Sequence, residues 1–341
     1  MKKRTLCLIF GGENTEYDIS LRSCACILRH VNREKYDLYK IGITREGKWY
    51  LYLGDEEKIE SGEWTEDNLK YDISISLNNG AVECENGLFL KPDIVFPIIH
   101  GKYGEDGFIK ALFEIMKVKC TGCNTEGGAL CVNKYLTKLI ARENGVPVAD
   151  FFIVRKGSTD KNYILSNAKS ITYPLFVKAS SSGSSIGVYR VKNEKSLMTC
   201  IEKALKYSDT VLIEKEIKGV ETEIALLETE NGIVTGKIGQ IEYEGDFYDY
   251  ERKYTDATTK LVIPAKISGE CERRIREYAK AIFLATGCRG MCRADFFVTE
   301  KGEVIFNEVN TVPGFTSGSM YPLLMTEENR KIGDIIDLLC L

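Results

Sequence analysis

The chain has 341 residues, 44% of them hydrophobic and 28% charged, the make-up of a globular protein long enough for two or three domains. Its net charge of −4 carries no basic excess, so nucleic acid and anionic membranes are poor partners and small molecules fit better. No stretch approaches the roughly 20 apolar residues that span a bilayer.

Met1-Lys2-Lys3-Arg4 followed by Leu6 to Phe10 imitates a signal peptide, but Gly11-Gly12 and then Glu13, Asn14 and Glu16 stop the apolar run too early. A cytoplasmic protein with reduced cysteines is expected. Of the twelve, Cys7, Cys26 and Cys131 stand in apolar runs that read as core. Cys120/Cys123 and Cys288/Cys292 have the spacing of zinc pairs, yet neither His30 nor His100 stands near them, and no zinc site is expected.

Leu6 to Phe10 predicts a strand, Ile19 to Val31 a helix, and Leu38 to Ile43 and Ile94 to Ile99 two more strands, which is α/β order. The first and last of these strands run into Gly11-Gly12-Glu13-Asn14-Thr15-Glu16 and His100-Gly101-Lys102-Tyr103-Gly104-Glu105-Asp106-Gly107. In open α/β sheets ligands sit at such carboxyl ends. The first loop lacks G-x-G-x-x-G spacing, which sets aside a dinucleotide-binding domain. Residues 46–90 are polar, with turn signals at Gly54, Gly62, Asn78, Asn79 and Gly80, and predict surface hairpins without chemistry. A helix is expected from Thr125 to Asn144. Strands at Phe151 to Val154, Leu175 to Lys178 and Ile186 to Val191, with a helix from Glu194 to Tyr207, predict a small mixed domain. From Val211 the chain turns strand-rich, with one long helix from Gly269 to Thr286. The resulting division is 1–124, 125–209 and 210–341.

Lys178-Ala179-Ser180-Ser181-Ser182-Gly183-Ser184-Ser185-Ile186-Gly187 puts a lysine at a strand end and then a small-residue loop whose amides and hydroxyls suit phosphate oxygens. Taken alone, it equally fits a serine-rich turn. Val211 to Ile217, followed by Gly219 and Glu221, offers backbone and carboxylates to an adenine amine and ribose hydroxyls, although a strand running into solvent would look the same.

Residues 291–310 carry the firmest physical inference. Ala294, Phe296 and Val298 alternate with Arg293, Asp295 and Phe297, Lys301-Gly302 supplies a turn, and Val304 to Asn310 returns. A two-residue loop sets Asp295 opposite Glu308 and Arg293 opposite Asn310, all on one face because strand side chains repeat every second residue. Two carboxylates and an amide then converge, a set of hard oxygens suited to Mg²⁺ on substrate phosphates. An exposed charged face is the alternative. Beyond it, Thr311-Val312-Pro313-Gly314-Phe315-Thr316-Ser317-Gly318-Ser319 lets backbone approach a ligand, and Arg293 with the Gly314 N–H could hold an oxyanion.

Taken in order, several segments resemble the ATP-grasp enzymes, and within them the D-alanine:D-alanine ligase family with its vancomycin-resistance D-alanine:D-serine relatives. These are Gly11-Gly12, Glu16, Ser20-Leu21, His100-Gly101, Gly104-Glu105-Asp106-Gly107, Lys178, Gly183-Ser184-Ser185, Gly187, Glu214-Lys215, Tyr248-Asp249-Tyr250-Glu251, Lys253-Tyr254, Arg293, Asp295, Asn307-Glu308-Val309-Asn310-Thr311 and Pro313-Gly314. The resemblance runs from Phe10 to the C-terminal helix. It implies an α/β and α+β fold of three ATP-grasp domains: an N-terminal open parallel α/β substrate domain, a central domain with the phosphate loop, and a C-terminal domain with the metal and oxyanion site.

The resemblance also implies residue roles. ATP would meet Lys134, Lys178 and Lys215 at phosphates or base, Ser184 and Ser185 in the phosphate loop, Glu214 and Ile217 at adenine, and Glu221 at ribose. Asp295, Glu308 and Asn310 would hold two Mg²⁺ ions, or Mn²⁺ in their stead. Glu16 would bind the ammonium of the first D-alanine, and Glu16, Ser184 and Tyr254 would close the loop over the site. The implied reaction phosphorylates that alanine's carboxylate and lets a second D-amino acid attack the acylphosphate. Arg293 and the Gly314 N–H would hold the oxyanion, Ser319 the second carboxylate, and His100 and Lys253 would complete the pocket. The product would serve peptidoglycan synthesis, and a homodimer is implied.

The chain departs from the family pattern at Ala179, Asn133 and Gly318, none of which removes a charge the chemistry needs. Glu16-Tyr17-Asp18 and Gly47-Lys48-Trp49-Tyr50 resemble the D-alanine:D-serine ligases, whereas Ser319-Met320-Tyr321-Pro322 resembles the D-alanine:D-alanine enzymes. Met320 would leave a serine hydroxyl unpaired, so D-alanine is expected as second substrate, with D-serine the alternative. A glutathione synthetase type would lack the Glu16, His100 and Tyr254 set. A silent nucleotide-binding protein would have lost a lysine, Arg293 or a metal carboxylate, and all are present.

Overall fold

A computed structural model of the chain describes residues 2–157, 160–242, 260–326, 328 and 330–341. Lys253 and Tyr254, with the Tyr248 to Glu251 motif, lie outside the described residues.

The N-terminal strands are β1 (Arg4–Gly11), β2 (Tyr36–Ile43), β3 (Trp49–Tyr52), β4 (Lys70–Ser76), β5 (Ala81–Cys84), β6 (Phe89–Leu90), β7 (Ile94–Pro97) and β8 (Lys119–Cys120). They form one eight-stranded sheet in the order β6-β5-β4-β3-β2-β1-β7-β8. The strands β2, β1, β7 and β8 run parallel, and β2 through β6 continue as an antiparallel meander. Helices α1 (Tyr17–His30), α2 (Glu57–Ser61) and α3 (Phe108–Ile115) accompany it. Both faces of β1 are covered. Leu6, Leu8 and Phe10 enter a core with Leu21, Cys24 and Ile27 of α1, while Cys7 and Ile9 enter another with Ile109 and Phe113 of α3.

The reading of residues 46–90 as surface hairpins needs correction. The hairpins extend the main sheet, a helix stands among them, and wholly buried Trp64 meets Phe10 on one side and wholly buried Tyr52 on another. Polar average composition hid the few large aromatics that anchor the segment.

The central part holds α4 (Thr125–Val132), α5 (Lys134–Glu143), β9 (Phe151–Arg155), α6 (Lys161–Ile171), β10 (Leu175–Ala179), β11 (Val188–Val191), α7 (Glu194–Ala204) and β12 (Thr210–Lys215). Its antiparallel sheet runs β11-β10-β12-β9. The single helix expected from Thr125 to Asn144 is two. Asn133 adopts extended backbone and its side chain accepts the Leu136 N–H at 3.2 Å, capping α5 instead of continuing α4.

The last part comprises β13 (Val220–Thr229), β14 (Gly232–Glu242), β15 (Lys260–Val262), α8 (Gly269–Ala285), β16 (Met291–Val298), β17 (Val304–Asn310), α9 (Met320–Thr326) and α10 (Ile332–Cys340). Its sheet runs β15-β14-β13-β16-β17. Helix α8 buries Cys271, Ile275, Ala279, Ile282 and Phe283 against one face, with Ile224, Ala294, Phe296 and Phe306. On the opposite face Ala225, Leu227 and Met291 join the core beneath α1, while Glu223, Arg293 and Asp295 make a polar stretch beside them. Ile335, Ile336, Leu339 and Cys340 of α10 join the core beneath α1, so the first and last elements share one interior.

The twelve cysteines are thiols. Cys288 Sγ lies 3.5 Å from Cys123 Sγ and 3.6 Å from Cys131 Sγ, contacts between residues far apart in sequence. Among the described residues, no helix is long and apolar enough to cross a membrane.

Candidate active site

The β16–β17 hairpin turns through three residues, Glu300, Lys301 and Gly302, not two. Thr299 N–H bonds Glu303 O at 2.9 Å, and Gly302 takes the left-handed conformation at φ +75°. This loop pairs Val298 with Val304 and Phe296 with Phe306. Continued unbroken, that register would turn Glu308 toward the core. A bulge at Asn307 inserts one residue and brings Asp295 opposite Glu308 and Arg293 opposite Asn310. On the other flank, β13 sets Glu223 beside Asp295 and Glu221 beside Phe297.

Arg293 binds this face together. Its Nε and Nη2 donate to the Asp295 carboxylate at 2.8 and 2.7 Å, and Nε lies 3.1 Å from Glu223 Oε2. Burial works against the guanidinium charge, but Asp295 and Glu223 outweigh it and hold Arg293 well above its ordinary value.

A cleft lined by charged and apolar side chains lies between the four- and five-stranded sheets. Phe176 and Val188 form one apolar wall, Phe297, Ile305 and Phe306 the other. Lys178 Nζ sits 2.5 Å from Glu214 Oε1 and Lys138 Nζ 2.9 Å from Glu214 Oε2. Lys134 Nζ sits 3.0 Å from Glu308 Oε2 and donates to Ser182 O at 2.7 Å. Burial raises Glu214, but the two ammoniums outweigh it and hold the carboxyl at about 2. Burial pushes Lys138 down, whereas Lys178 stays above its ordinary value because Glu214 and Glu308 overcome the same penalty.

Ser184 and Ser185 have φ of 51° and 58°, unusual for residues with a Cβ and a conformation that turns successive amides toward one point. Ser180 donates to Asn133 Oδ1 at 2.7 Å and its carbonyl accepts the Lys134 N–H at 2.8 Å, which ties this loop to the start of α5. The Asn133 departure thus keeps both hydrogen bonds that an aspartate would accept. Ser184 Oγ hydrogen-bonds Glu16 Oε1, joining the loop to the N-terminal part.

A second cleft shares Arg293 and Glu223 with the first. Glu16, His100, Asn310, Gly314, Ser319 and Met320 line it. Gly101 has φ +67°, and a Cβ there would lie 2.7 Å from Glu16 Oε2, so the backbone can approach that carboxylate only as glycine. Asn310 Oδ1 accepts the Val312 N–H at 3.0 Å, and Ser319 Oγ accepts the Thr316 N–H at 3.1 Å.

The expected residues therefore divide between two joined spaces. Lys134, Lys178, Ser184, Ser185, Glu214, Lys215, Ile217, Glu221, Asp295 and Glu308 line the first. Asn310 lies one step further along β17 and faces the second. Glu214 does not offer its carboxylate to a base, because two lysines occupy it. Lys138, Glu223 and Asn307 went unrecognised in the sequence. Lys138 follows Lys134 by one helical turn, and Glu223 repeats Glu221 on an otherwise apolar strand, two signals that were readable. Asn307 enters the cleft only through the bulge, where its Oδ1 accepts from Lys178 Nζ at 3.2 Å. Glu60, from the segment expected to be without chemistry, lines the second cleft beside Arg29.

Two family models match the chain, the D-ala D-ala ligase N-terminus over residues 5–123 and the D-ala D-ala ligase C-terminus over residues 140–340. The D-alanine–D-alanine ligase of Clostridium novyi is 38% identical over 339 residues, covering 98% of this chain and 96% of that protein. The same-named enzyme of Clostridium acetobutylicum is also 38% identical, over 98% and 96%. Among solved structures, the VanG D-Ala:D-Ser ligase from Enterococcus faecalis superposes with a TM-score of 0.92 at 36% identity, over 99% of both chains. The D-alanine-D-alanine ligase from Coxiella burnetii gives 0.86 at 30% identity, over 99% and 94%.

Three sheets with a cleft between the last two are the architecture of an ATP-grasp ligase. The chain belongs to the D-alanine–D-alanine ligase family.

Proposed function

We propose that this enzyme joins two D-alanines into D-alanyl-D-alanine at the expense of ATP, through an acylphosphate, for peptidoglycan precursor synthesis. The shared wall of the two clefts carries this reading: Arg293 and Glu223 line both, so a phosphate in one lies beside an amino acid in the other.

Asp295 and Glu308 are paired across the sheet, and each already attracts a cation of the protein itself, Arg293 and Lys134. Among the described residues, no three His, Cys, Asp or Glu side chains are grouped to hold an ion unaided. Two carboxylates plus the phosphate oxygens and water of a bound nucleotide are the usual set for Mg²⁺, so these residues fit that ion. When bound, Mg²⁺ or Mn²⁺ would neutralise phosphate charge; we propose two ions, with Asn310 as a further oxygen donor.

Lys134, Lys178 and the amides of Ser184 and Ser185 hold the phosphates. Lys215, Ile217 and the backbone of Glu214 meet the base, and Glu221 meets the ribose. Glu16 holds the first ammonium and, through Ser184, closes the loop against water. His100 orders the pocket, Arg293 and the Gly314 N–H stabilise the oxyanion, and Ser319 takes the second carboxylate. Lys253 and Tyr254 complete this assignment by family likeness. The three sheets support a division into 1–124, 125–209 and 210–341 except at its second boundary, because β12 (Thr210–Lys215) pairs with β10 and β9 and belongs with the central sheet. Family likeness likewise supports a cytoplasmic homodimer.

D-serine as acceptor is the second reading, favoured by the likeness to the VanG structure. The buried Met320 at the acceptor end favours a methyl group. Mass spectrometry of products from ATP, Mg²⁺ and a mixture of D-alanine, D-serine and D-lactate tests both. D-alanyl-D-alanine is expected to dominate. A D-alanyl-D-serine majority would overturn the acceptor, and absence of any dipeptide would overturn the ligase reading.

A further inference from the structure

Beneath the second cleft runs a hydrogen-bonded chain whose serine, Ser23, has no role in the reading above. His100 Nδ1 lies 2.7 Å from Val312 O, and a carbonyl can only accept, so Nδ1 carries the proton. The Phe315 N–H donates to Ser23 Oγ at 3.1 Å. Ser23 Oγ lies 3.0 Å from His100 Nε2 and, with its lone pair taken by the Phe315 N–H, has its own proton free to give to that nitrogen. Each donor meets an acceptor, and Ser23, His100 and Phe315 are all buried.

Val312 and Phe315 bracket Pro313-Gly314, and Gly314 lines the second cleft. Two side chains of the N-terminal α/β part therefore grip both ends of the backbone segment that presents Gly314. Ser20, the preceding buried serine of α1, instead accepts the Gly11 N–H at 2.8 Å and donates to Ile98 O at 2.5 Å, tying the helix to its own sheet.

We propose that Ser23 is a positioning residue for the ligation step, fixing residues 312–315 through the Phe315 amide and holding His100 in one tautomer. The inference rests on the ligase reading. Its action is indirect: Ser23 touches the loop and the histidine, and these meet the substrates. Losing the hydroxyl removes the acceptor of the Phe315 N–H and the Ser23 contact of His100 Nε2, and the Gly314 amide drifts from its aim.

The test compares wild type, Ser23→Ala, Ser23→Cys and Ser20→Ala in steady-state dipeptide synthesis, with rates divided by the ADP-binding sites counted in each preparation. Ser23→Ala should lose roughly ten- to a hundredfold in kcat and raise the KM for D-alanine, with the KM for ATP unchanged. Ser23→Cys, which keeps the volume and a weak donor, should fall between; it also serves if the alanine variant binds no ADP. Ser20→Ala, a purely structural loss, should keep both KM values and the rate per site. Wild-type kcat and D-alanine KM per site in the Ser23 variants would overturn the proposal, as would equal losses in Ser20→Ala. A wild-type chain that makes no dipeptide would overturn the underlying reading first.

Discussion

Glu214 lies between two ammoniums with 4% of its surface exposed, an arrangement whose stability depends on its charge. Its folded value of about 2 lies below the ordinary 4.5, so its contribution is complete above pH 4.5 and disappears as pH falls toward 2. The difference in unfolding free energy between wild type and Glu214→Gln should shrink across that window; a constant difference in acid-dependent urea unfolding would refute it. At this scale the sequence showed which residue types gather but not which carboxylate each lysine takes. Lys138 illustrates the limit, because a lysine buried in a helix facing a sheet looks like surface charge until the sheet is placed beside it.

The β16–β17 hairpin shows how two departures from a simple expectation can cancel. Lys301-Gly302 announced a turn, yet nothing in the residues counted Glu300 into it, and nothing marked Asn307 as a bulge. The longer loop shifts the register by one, the bulge shifts it back, and the anticipated facing of Asp295 with Glu308 survives. The alternation of residues 293–298 was legible because period-two patterning is local; loop length and bulges depend on tertiary fit. Gly302→Ala should lower stability by about 1 kcal/mol through its left-handed backbone. A Cβ there would meet nothing nearer than Cys271 Sγ at 3.7 Å, so the rate should not change. Thermal unfolding alongside the ligase assay checks both halves, and a loss of activity without loss of stability would contradict it.

Across the whole molecule, the core beneath α1 draws residues from both ends of the chain, Leu6 to Val31 and Ala225 to Cys340. Phe315 is its joint, fully buried with Phe96 at 6.5 Å and Tyr321 at 6.0 Å between ring centroids. Phe315→Ala should cost about 3–5 kcal/mol, measured by urea unfolding, and a change below 1 kcal/mol would show that the two parts fold independently. Sequence order alone divided the chain into three successive parts; it could not reveal that the last packs into the first, because no local pattern encodes a contact between residues some three hundred positions apart. The location of α10 bears on biogenesis. Since Ile335, Ile336, Leu339 and Cys340 complete the interior under α1, a nascent chain cannot finish its opening α/β layer until those residues have left the ribosome. The underside of α1 must wait unsealed while residues 31–331 are made, and that interval is when a holding chaperone would find its substrate.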